Sequence, residues 1–176
     1  EVPIEDMAPF LQDLMQEHVT IKELTDQLEE TLGNLQSKGL SKEVNKEFQG
    51  FFERFDDIFI KHNRKEESEF FPLLKRRLIK HGEHSQGLEK TTAVDMLEDD
   101  HVRGVQQLAL VFNFLAMGMQ LPDEASRLLV LDTAVNQAKL MVEELRLHIF
   151  REENVVFPLA HKYLTREEFD YLASPM

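Results

Sequence analysis

The chain has 176 residues, no cysteine, seven glycines and a formal net charge of −13. The missing cysteines exclude disulfides, thiolate-bound zinc and iron–sulfur clusters held by the chain itself. The negative charge argues against nucleic acid or an anionic membrane as a partner, and no apolar run approaches the roughly 18 residues that span a bilayer. We therefore expect one cytoplasmic domain over residues 1–176, helical because so few glycines interrupt it.

The first predicted helix carries apolar residues at steps of three and four, the spacing of a helix packed in a bundle. Its buried stripe is expected to contain Leu11, Leu14, His18, Ile21, Leu24, Leu28, Leu32 and Leu35. His18 thus falls at a core position. Gly33 and the stretch 37–39 suggest the end of this helix and a turn, and Ser41 is expected to cap the next one.

The second predicted helix places a histidine and a glutamate in its apolar stripe. That stripe is expected to contain Val44, Phe48, Phe51, Phe52, Phe55, Phe59, His62, Glu66, Phe70 and Leu73. Pro72 removes a backbone hydrogen bond and clashes with the preceding turn, so the helix should bend or end just before it. The polar segment 81–90 is the expected link to the second half.

The third and fourth predicted helices repeat the arrangement. The third starts near Thr92, with a stripe of Val94, Leu97, His101, Val105, Leu108, Phe112 and Leu115. It should stop at 117–120, after which Asp123 caps the fourth. The fourth stripe contains Leu128, Leu131, Val135, Ala138, Val142, Leu145, His148, Glu152, Val156 and Leu159. Pro158 should act as Pro72 does, and Thr165 with Glu168 forms a capping box for a short last helix to about Leu172.

One motif, H-x-x-x-E-E-x-x-x-F-P, occurs twice, from His62 to Pro72 and from His148 to Pro158. A further histidine precedes each copy, His18 in the first half and His101 in the second. The chain is therefore an imperfect duplication, with half-repeats over about 10–80 and 92–164. A histidine and a glutamate four residues apart project from the same face of a helix, so two such units can surround a pair of metal ions.

A lone histidine on an apolar stripe is usually a hydrogen-bonded core residue, but a buried glutamate without a cationic partner is costly. No lysine or arginine occupies the facing stripe positions, so bound cations best explain the pattern. The expected ligands are His18, His62, Glu66, His101, His148 and Glu152. The alternative is a metal-free bundle in which these six groups satisfy one another.

Imidazole and carboxylate ligands suit iron, manganese or zinc, and a carboxylate can bridge two metals in a bundle core. If Glu66 and Glu152 both bridge, each ion has two histidines and two carboxylate oxygens. A bridging oxide or hydroxide adds a fifth donor and leaves an octahedral ion one free position. That position is where O2, NO, peroxide or water would bind.

The order of lone histidine and H-x-x-x-E, written twice, resembles the hemerythrin-like or HHE cation-binding domain family, over about residues 10–164. The resemblance implies an all-α, up-down four-helix bundle around a non-haem di-iron centre. His18 and His62 would then hold one iron, His101 and His148 the other, and both glutamates would bridge. Oxygen-carrying hemerythrins have a fifth histidine where this chain has Leu97 or Val105, and an aspartate at Glu152, so a simple oxygen carrier is not expected.

The pattern is closer to bacterial proteins of iron–sulfur repair and to hemerythrin-like sensors, although the repair proteins commonly carry a cysteine-containing segment that is missing here. We expect a non-haem di-iron protein that binds O2, NO or a related small oxidant for sensing, storage or detoxification. The alternative is an enzyme that releases iron for repair or acts as a ferroxidase or peroxidase.

Other acidic and histidine residues are candidates for lesser roles. Glu69 and Glu98 could supply one additional ligand each, although partly solvated positions beside the site are the expected alternative. Glu67 and Glu153 lie one residue past a core position, so contacts to the ligands or surface positions are expected rather than ligation. The surface histidines are expected to be His81, His84 and His161.

Overall fold

The computed structural model describes residues 3–174, which form five helices and no strand. Helix α1 is Pro9–Lys38, α2 runs over 42–80, α3 is Ala93–Gln120, α4 runs over 124–163 and α5 is Arg166–Leu172, after a short 3-10 turn at Ile4–Asp6. None of the described helices is long and apolar enough to cross a membrane. The predicted all-helical class is thereby confirmed.

Helix boundaries follow the predicted capping residues. Gly39 adopts a φ of 74° at the end of α1, a conformation that glycine reaches without a Cβ clash. Ser41 and Asp123 accept hydrogen bonds from the first turns of α2 and α4. Thr165 and Glu168 form the predicted capping box of α5.

Both long motif helices contain wide π turns. Helix α2 consists of Lys42–Phe55, a π turn at Asp56–Ile60, Lys61–Lys65, a second π turn at Glu66–Phe70, and Phe71–Lys80. Helix α4 consists of Glu124–Arg151, a π turn at Glu152–Val156, and Phe157–Tyr163. The second π turn of α2 and the π turn of α4 each begin at the motif glutamate and end before the Phe-Pro pair.

Of the two outcomes predicted at the prolines, a bend or an end, the end is wrong, because both helices continue past them. The N–H of Phe71 bonds to the carbonyl of Glu66, and that of Phe157 to Glu152. Each proline then lies in the first turn of the following α segment, where its missing N–H costs least. A π turn inserts one residue into the helix, and the inserted residue accommodates the proline.

The same inserted residue shifts the buried stripe beyond each motif. Leu74 and Ala160 are fully buried, whereas Leu73 and Leu159, which the α-helical period places in the core, are only half-buried. A pattern with one fixed period cannot anticipate a one-residue insertion.

Three other predicted core residues are exposed, namely Val105 at 44%, Phe112 at 53% and Leu128 at 61%. In α3 the buried stripe steps from His101 through Gly104 rather than Val105. Gly104 faces Phe59, whose ring atom Cζ would lie 3.6 Å from an added Cβ. Phe59 therefore packs against the Gly104 face of α3, while Val105 lies on an exposed face.

Two apolar clusters lie on either side of the polar residues in the bundle. The larger includes Leu24, Phe55 and Val142, and the smaller includes Leu11, Phe71 and Leu97. Contacts between α1 and α2 join residues in reverse order, with Arg54 Nη1 2.9 Å from Gln27 Oε1 and Lys65 near Glu17. The buried histidines and glutamates therefore occupy a polar layer enclosed by hydrophobic core.

Candidate metal centre

The structure brings all six predicted ligands into one buried cluster. Two groups of four share both glutamates: one adds His18 and His62, which we call the first pair, and the other adds His101 and His148, the second pair. In each group the potential ligand atoms lie within 4.8 Å of one another. No member is more than 4% exposed, so the cluster is shielded from bulk solvent.

In the first pair the two Nε2 atoms face each other at 3.2 Å. His18 Nε2 lies 3.0 Å from Glu152 Oε2, and His62 Nε2 lies 3.5 Å from Glu66 Oε2. Each histidine of this pair therefore has a carboxylate oxygen beside its Nε2.

In the second pair the Nε2 atoms lie 3.1 Å apart. His101 Nε2 is 3.3 Å from Glu66 Oε2, and His148 Nε2 is 3.3 Å from Glu152 Oε1. Glu152 thus presents one oxygen to each pair, while one oxygen of Glu66 lies near both.

The residue after each motif glutamate contacts the lone histidine of the other half. Glu153 Oε1 lies 3.1 Å from His18 Nδ1, and Glu67 Oε1 lies 2.9 Å from His101 Nδ1. Because a carboxylate only accepts hydrogen bonds, each Nδ1 carries a proton, and each Nε2 is directed into the cluster. The expectation that these two glutamates touch the ligands rather than ligate agrees with their positions.

The residue before each lone histidine contacts the other histidine of the same pair. Glu17 Oε2 lies 2.9 Å from His62 Nδ1. Asp100 Oδ2 lies 3.6 Å from His148 Nδ1, an ion-pair distance rather than a hydrogen bond. Sequence reasoning missed both acidic residues, although an acidic residue precedes each lone histidine and that repeat was visible.

A sequence profile of the hemerythrin HHE cation-binding domain matches residues 10–160, which include all six clustered residues. The chain belongs to this family. No curated protein and no solved structure matches it significantly. The resemblance drawn from the doubled motif is therefore confirmed at the level of the family.

In this hemerythrin-family domain the motif phenylalanine also serves the other half. Phe157 stacks on His18, with ring centroids 5.5 Å apart and planes 7° from parallel, and Phe71 stacks on His101 at 5.6 Å and 20°. The π turns set this register, since each phenylalanine follows its motif glutamate by five residues. Each ring covers one face of an imidazole and helps to exclude water.

The supplementary candidates do not join the cluster. Glu69 accepts a hydrogen bond from the Tyr171 hydroxyl at 2.9 Å, and Glu98 Oε2 lies 3.3 Å from Lys75 Nζ. The histidines predicted at the surface also lie outside the cluster. His81 and His161 are exposed, and His84 is half-buried.

Electrostatics show how strongly the cluster attracts positive charge. Burial lowers the pKa of His18 and of His148, but Glu152 and the carboxylates at Nδ1 outweigh burial and raise them to about 9 and about 10. Burial and repulsion from Glu152 raise the pKa of Glu66. Burial alone also raises the pKa of Glu152, yet His148 and His18 lower it overall. Without metal, protons occupy the place of the missing cations.

The hydrogen bonding of the cluster fits bound cations. All four carboxylate oxygens of Glu66 and Glu152 are buried without a hydrogen-bond partner. When each ring carries only its Nδ1 proton, the Nε2 lone pairs within each histidine pair also face each other. Positive ions satisfy both sets of atoms, and four imidazoles with two carboxylates suit iron, manganese or zinc.

Proposed function

We propose that the protein is a di-iron protein that binds O2, NO or a related small oxidant for sensing, storage or detoxification in the cytoplasm. The observation that carries the proposal is the pair of fully buried carboxylates that make no hydrogen bond and whose close polar neighbours are four convergent imidazoles. Membership of a cation-binding family supports metal as the missing partner. We further propose that residues 1–176 form one functional domain without a nucleic-acid or membrane partner.

We propose His18 and His62 as ligands of one iron, and His101 and His148 as ligands of the other. The two overlapping groups of four support this division. Glu66 and Glu152 would then help to hold both ions, since they belong to both groups. When bound, the irons supply Lewis-acid and one-electron chemistry, while the chain orients the imidazoles, holds their Nδ1 protons and excludes bulk water.

We infer that the four long helices form an up-down bundle that arose by internal duplication. Reversed contact order supports the direction: Gln107 meets Glu144 and His101 meets His148, as Gln27 meets Arg54 in the first half. The duplication is supported by matching π turns at the two motif glutamates, Glu66 and Glu152.

Metal analysis with optical spectroscopy tests the proposal. The purified protein is expected to hold about two iron ions per chain. Glu69→Ala, outside the cluster, should retain them, whereas Glu66→Ala should not. A wild-type protein that takes up no metal after anaerobic loading with ferrous iron overturns the proposal.

Anaerobic titration then separates binding from turnover. Reversible spectral changes with O2 or NO support a ligand-binding role. Repeated consumption of peroxide, or loss of iron to an acceptor, supports the enzymatic alternative instead.

A further inference from the structure

A cavity of about 120 Å³ lies against the second histidine pair, between α2, α3 and α4. His101 and His148 form part of its wall, together with apolar residues such as Phe59 and Met141. The space is several times what one water molecule requires. A small molecule in it would be next to the proposed metal centre.

Comparison of the two halves shows how the cavity arises. Three residues after the lone histidine, the first half has Ile21, 1% exposed, and the second half has Gly104. Six residues after it, the fully buried Leu24 corresponds to Gln107. Four residues before the motif histidine, Ile58 of the first half corresponds to Glu144. The three replacements put a gap and two polar side chains where the first half has apolar ones.

Gln107 has a free acceptor in this wall. Its Nε2 donates to Glu144 Oε2 at 2.7 Å, and the residue as a whole is only 8% exposed. Because a carboxylate offers no proton, the amide nitrogen must face Glu144 and the carbonyl oxygen is the free end. That Oε1 atom is buried and has no hydrogen-bond partner.

We propose that this cavity binds a small hydrogen-bond donor of the hydrogen peroxide class beside the second histidine pair, with Gln107 Oε1 accepting its hydrogen bond. The proposal rests on the proposed function and narrows its ligand. Hydrogen peroxide carries O–H groups that satisfy the buried carbonyl, whereas O2 and NO carry none. Gln107 is a positioning and specificity residue, since it does not belong to the metal cluster.

The main test compares Gln107→Leu with wild type in the iron-loaded protein. Leucine restores the residue of the first half and removes the acceptor at similar volume. The hydrogen peroxide concentration for half-maximal spectral change is expected to rise about fivefold, the ratio for one lost hydrogen bond of typical strength. The affinity for NO should stay unchanged.

Gln106→Leu is the matched control, because Gln106 is the exposed neighbour and does not line this cavity. Gln106→Leu should change the affinity for neither hydrogen peroxide nor NO. If Gln107→Leu leaves the affinity for hydrogen peroxide unchanged, or lowers the affinities for hydrogen peroxide and NO equally, selection by Gln107 is refuted. Glu144→Gln provides a second variant, because it allows the Gln107 amide to rotate. It should also lower the affinity for hydrogen peroxide and leave that for NO unchanged.

Narrowing the cavity tests whether it is the route to the centre. Gly104→Val should slow association of both hydrogen peroxide and NO, with circular dichroism to confirm that the variant folds. Gly104→Ala, whose added Cβ meets Phe59 at ordinary contact distance, should slow both by a smaller factor. Gly33→Val is the control in α1, where nothing lies within 4 Å of an added Cβ. Unchanged association rates in Gly104→Val would contradict the proposal.

A crystal structure of the metal-free protein supplies a readout that does not depend on iron. Ordered water, or peroxide after soaking, is expected within hydrogen-bond distance of Gln107 Oε1. An Oε1 atom bonded only to protein groups would refute the site. A wild type that binds no iron but holds such a ligand would contradict the proposed function while the cavity site stands.

Discussion

The first and second histidine pairs are alike at the Nε2 atoms and differ around them. Both have Nε2 atoms close to 3 Å apart, the same two glutamates and a stacked phenylalanine. Beyond that layer, Ile21 and Leu24 of the first half are buried in the larger apolar cluster, whereas Gly104 and Gln107 of the second half line a cavity beside the second pair. The repeated motif thus places the same donor groups at both pairs, while the residues outside it differ in the space that they leave beside each pair.

The two halves also depend on each other. The first motif provides Glu67 and Phe71 to His101, and the second provides Glu153 and Phe157 to His18. Neither half contains a complete pair with its outer carboxylates and stacked ring. The centre is therefore a property of the whole domain rather than of each repeat.

The largest expected effect distinguishes Glu152, which both histidine pairs share, from His18, which belongs to one pair. Glu152→Ala should reduce iron from about two ions per chain to nearly none, because Glu152 faces both pairs. His18→Ala removes a ligand from one group only and should leave about one ion. Iron analysis of the purified variants, with circular dichroism to confirm helicity, checks this. Equal loss in both variants would show that the two positions do not fill independently.

Protonation of the metal-free centre predicts its pH dependence. The folded pKa values of His18 and His148, about 9 and about 10, exceed the unfolded reference of 6.5. Their stabilisation is therefore complete below about pH 6.5 and is lost as pH rises through 9 to 10, by a few kcal/mol in order of magnitude. Thermal unfolding of the metal-free protein should show a falling midpoint from pH 7 to 10. The iron-loaded protein should lack this fall, since metal has replaced the protons.

The same linkage predicts that metal binding at pH 7 releases protons. Calorimetry of iron or zinc binding in buffers of different ionisation enthalpy should give heats that vary with the buffer. Identical heats would contradict protonated histidines in the metal-free centre.

Removing the Nδ1 partners should have a smaller and unequal effect. Glu153→Gln should lower metal affinity by about 10- to 100-fold, the usual effect of disturbing a hydrogen bond to a ligating histidine. Glu67→Gln should lower it less, because the Glu67 side chain is 47% exposed while that of Glu153 is 19% exposed and also accepts from Lys22. Competition with a chelator measures both. A larger effect at Glu67 would reverse this ranking.

Much of the centre follows from the sequence because its residues violate the apolar pattern. Buried glutamates and repeated histidines identify all six members of the cluster and their grouping into two pairs. The outer carboxylates Glu17 and Asp100 escape notice, since surface and inward-facing acidic residues look alike in an acidic chain. They act through contacts between helices, which helical spacing alone does not specify.

The parts of the fold that could not be predicted have local causes. The π turns at Glu66 and Glu152 add one residue to a helix, so the α-helical period assigns Leu73 and Leu159 to the core in place of their neighbours. The exposure of Val105 depends on the packing of Phe59, a residue distant in sequence. Only the error at Leu73 and Leu159 comes from assuming one helical period throughout, since α3 is a regular α-helix.

The smallest expected effect concerns Val105, which corresponds to Lys22 of the first half. Lys22 donates to Glu153 at 2.8 Å, and Glu153 contacts His18; Val105 lies with Glu67 and His101 along one groove. Val105→Lys should supply Glu67 with the cation that Glu153 already has. Because position 105 is 44% exposed, the free energy of unfolding should change by no more than about 0.5 kcal/mol.

The informative readout for Val105→Lys is a double-mutant cycle with Glu67→Gln. Glu67→Gln alone is expected to cost less metal affinity than Glu153→Gln. In the Val105→Lys background, the cost of Glu67→Gln should come closer to that of Glu153→Gln, since the environments of the two carboxylates become more alike. With Glu67→Gln already present, the lysine should have no such effect. A lysine that changes metal affinity equally in both backgrounds would act through net charge alone, and the asymmetry between the halves would then have another cause.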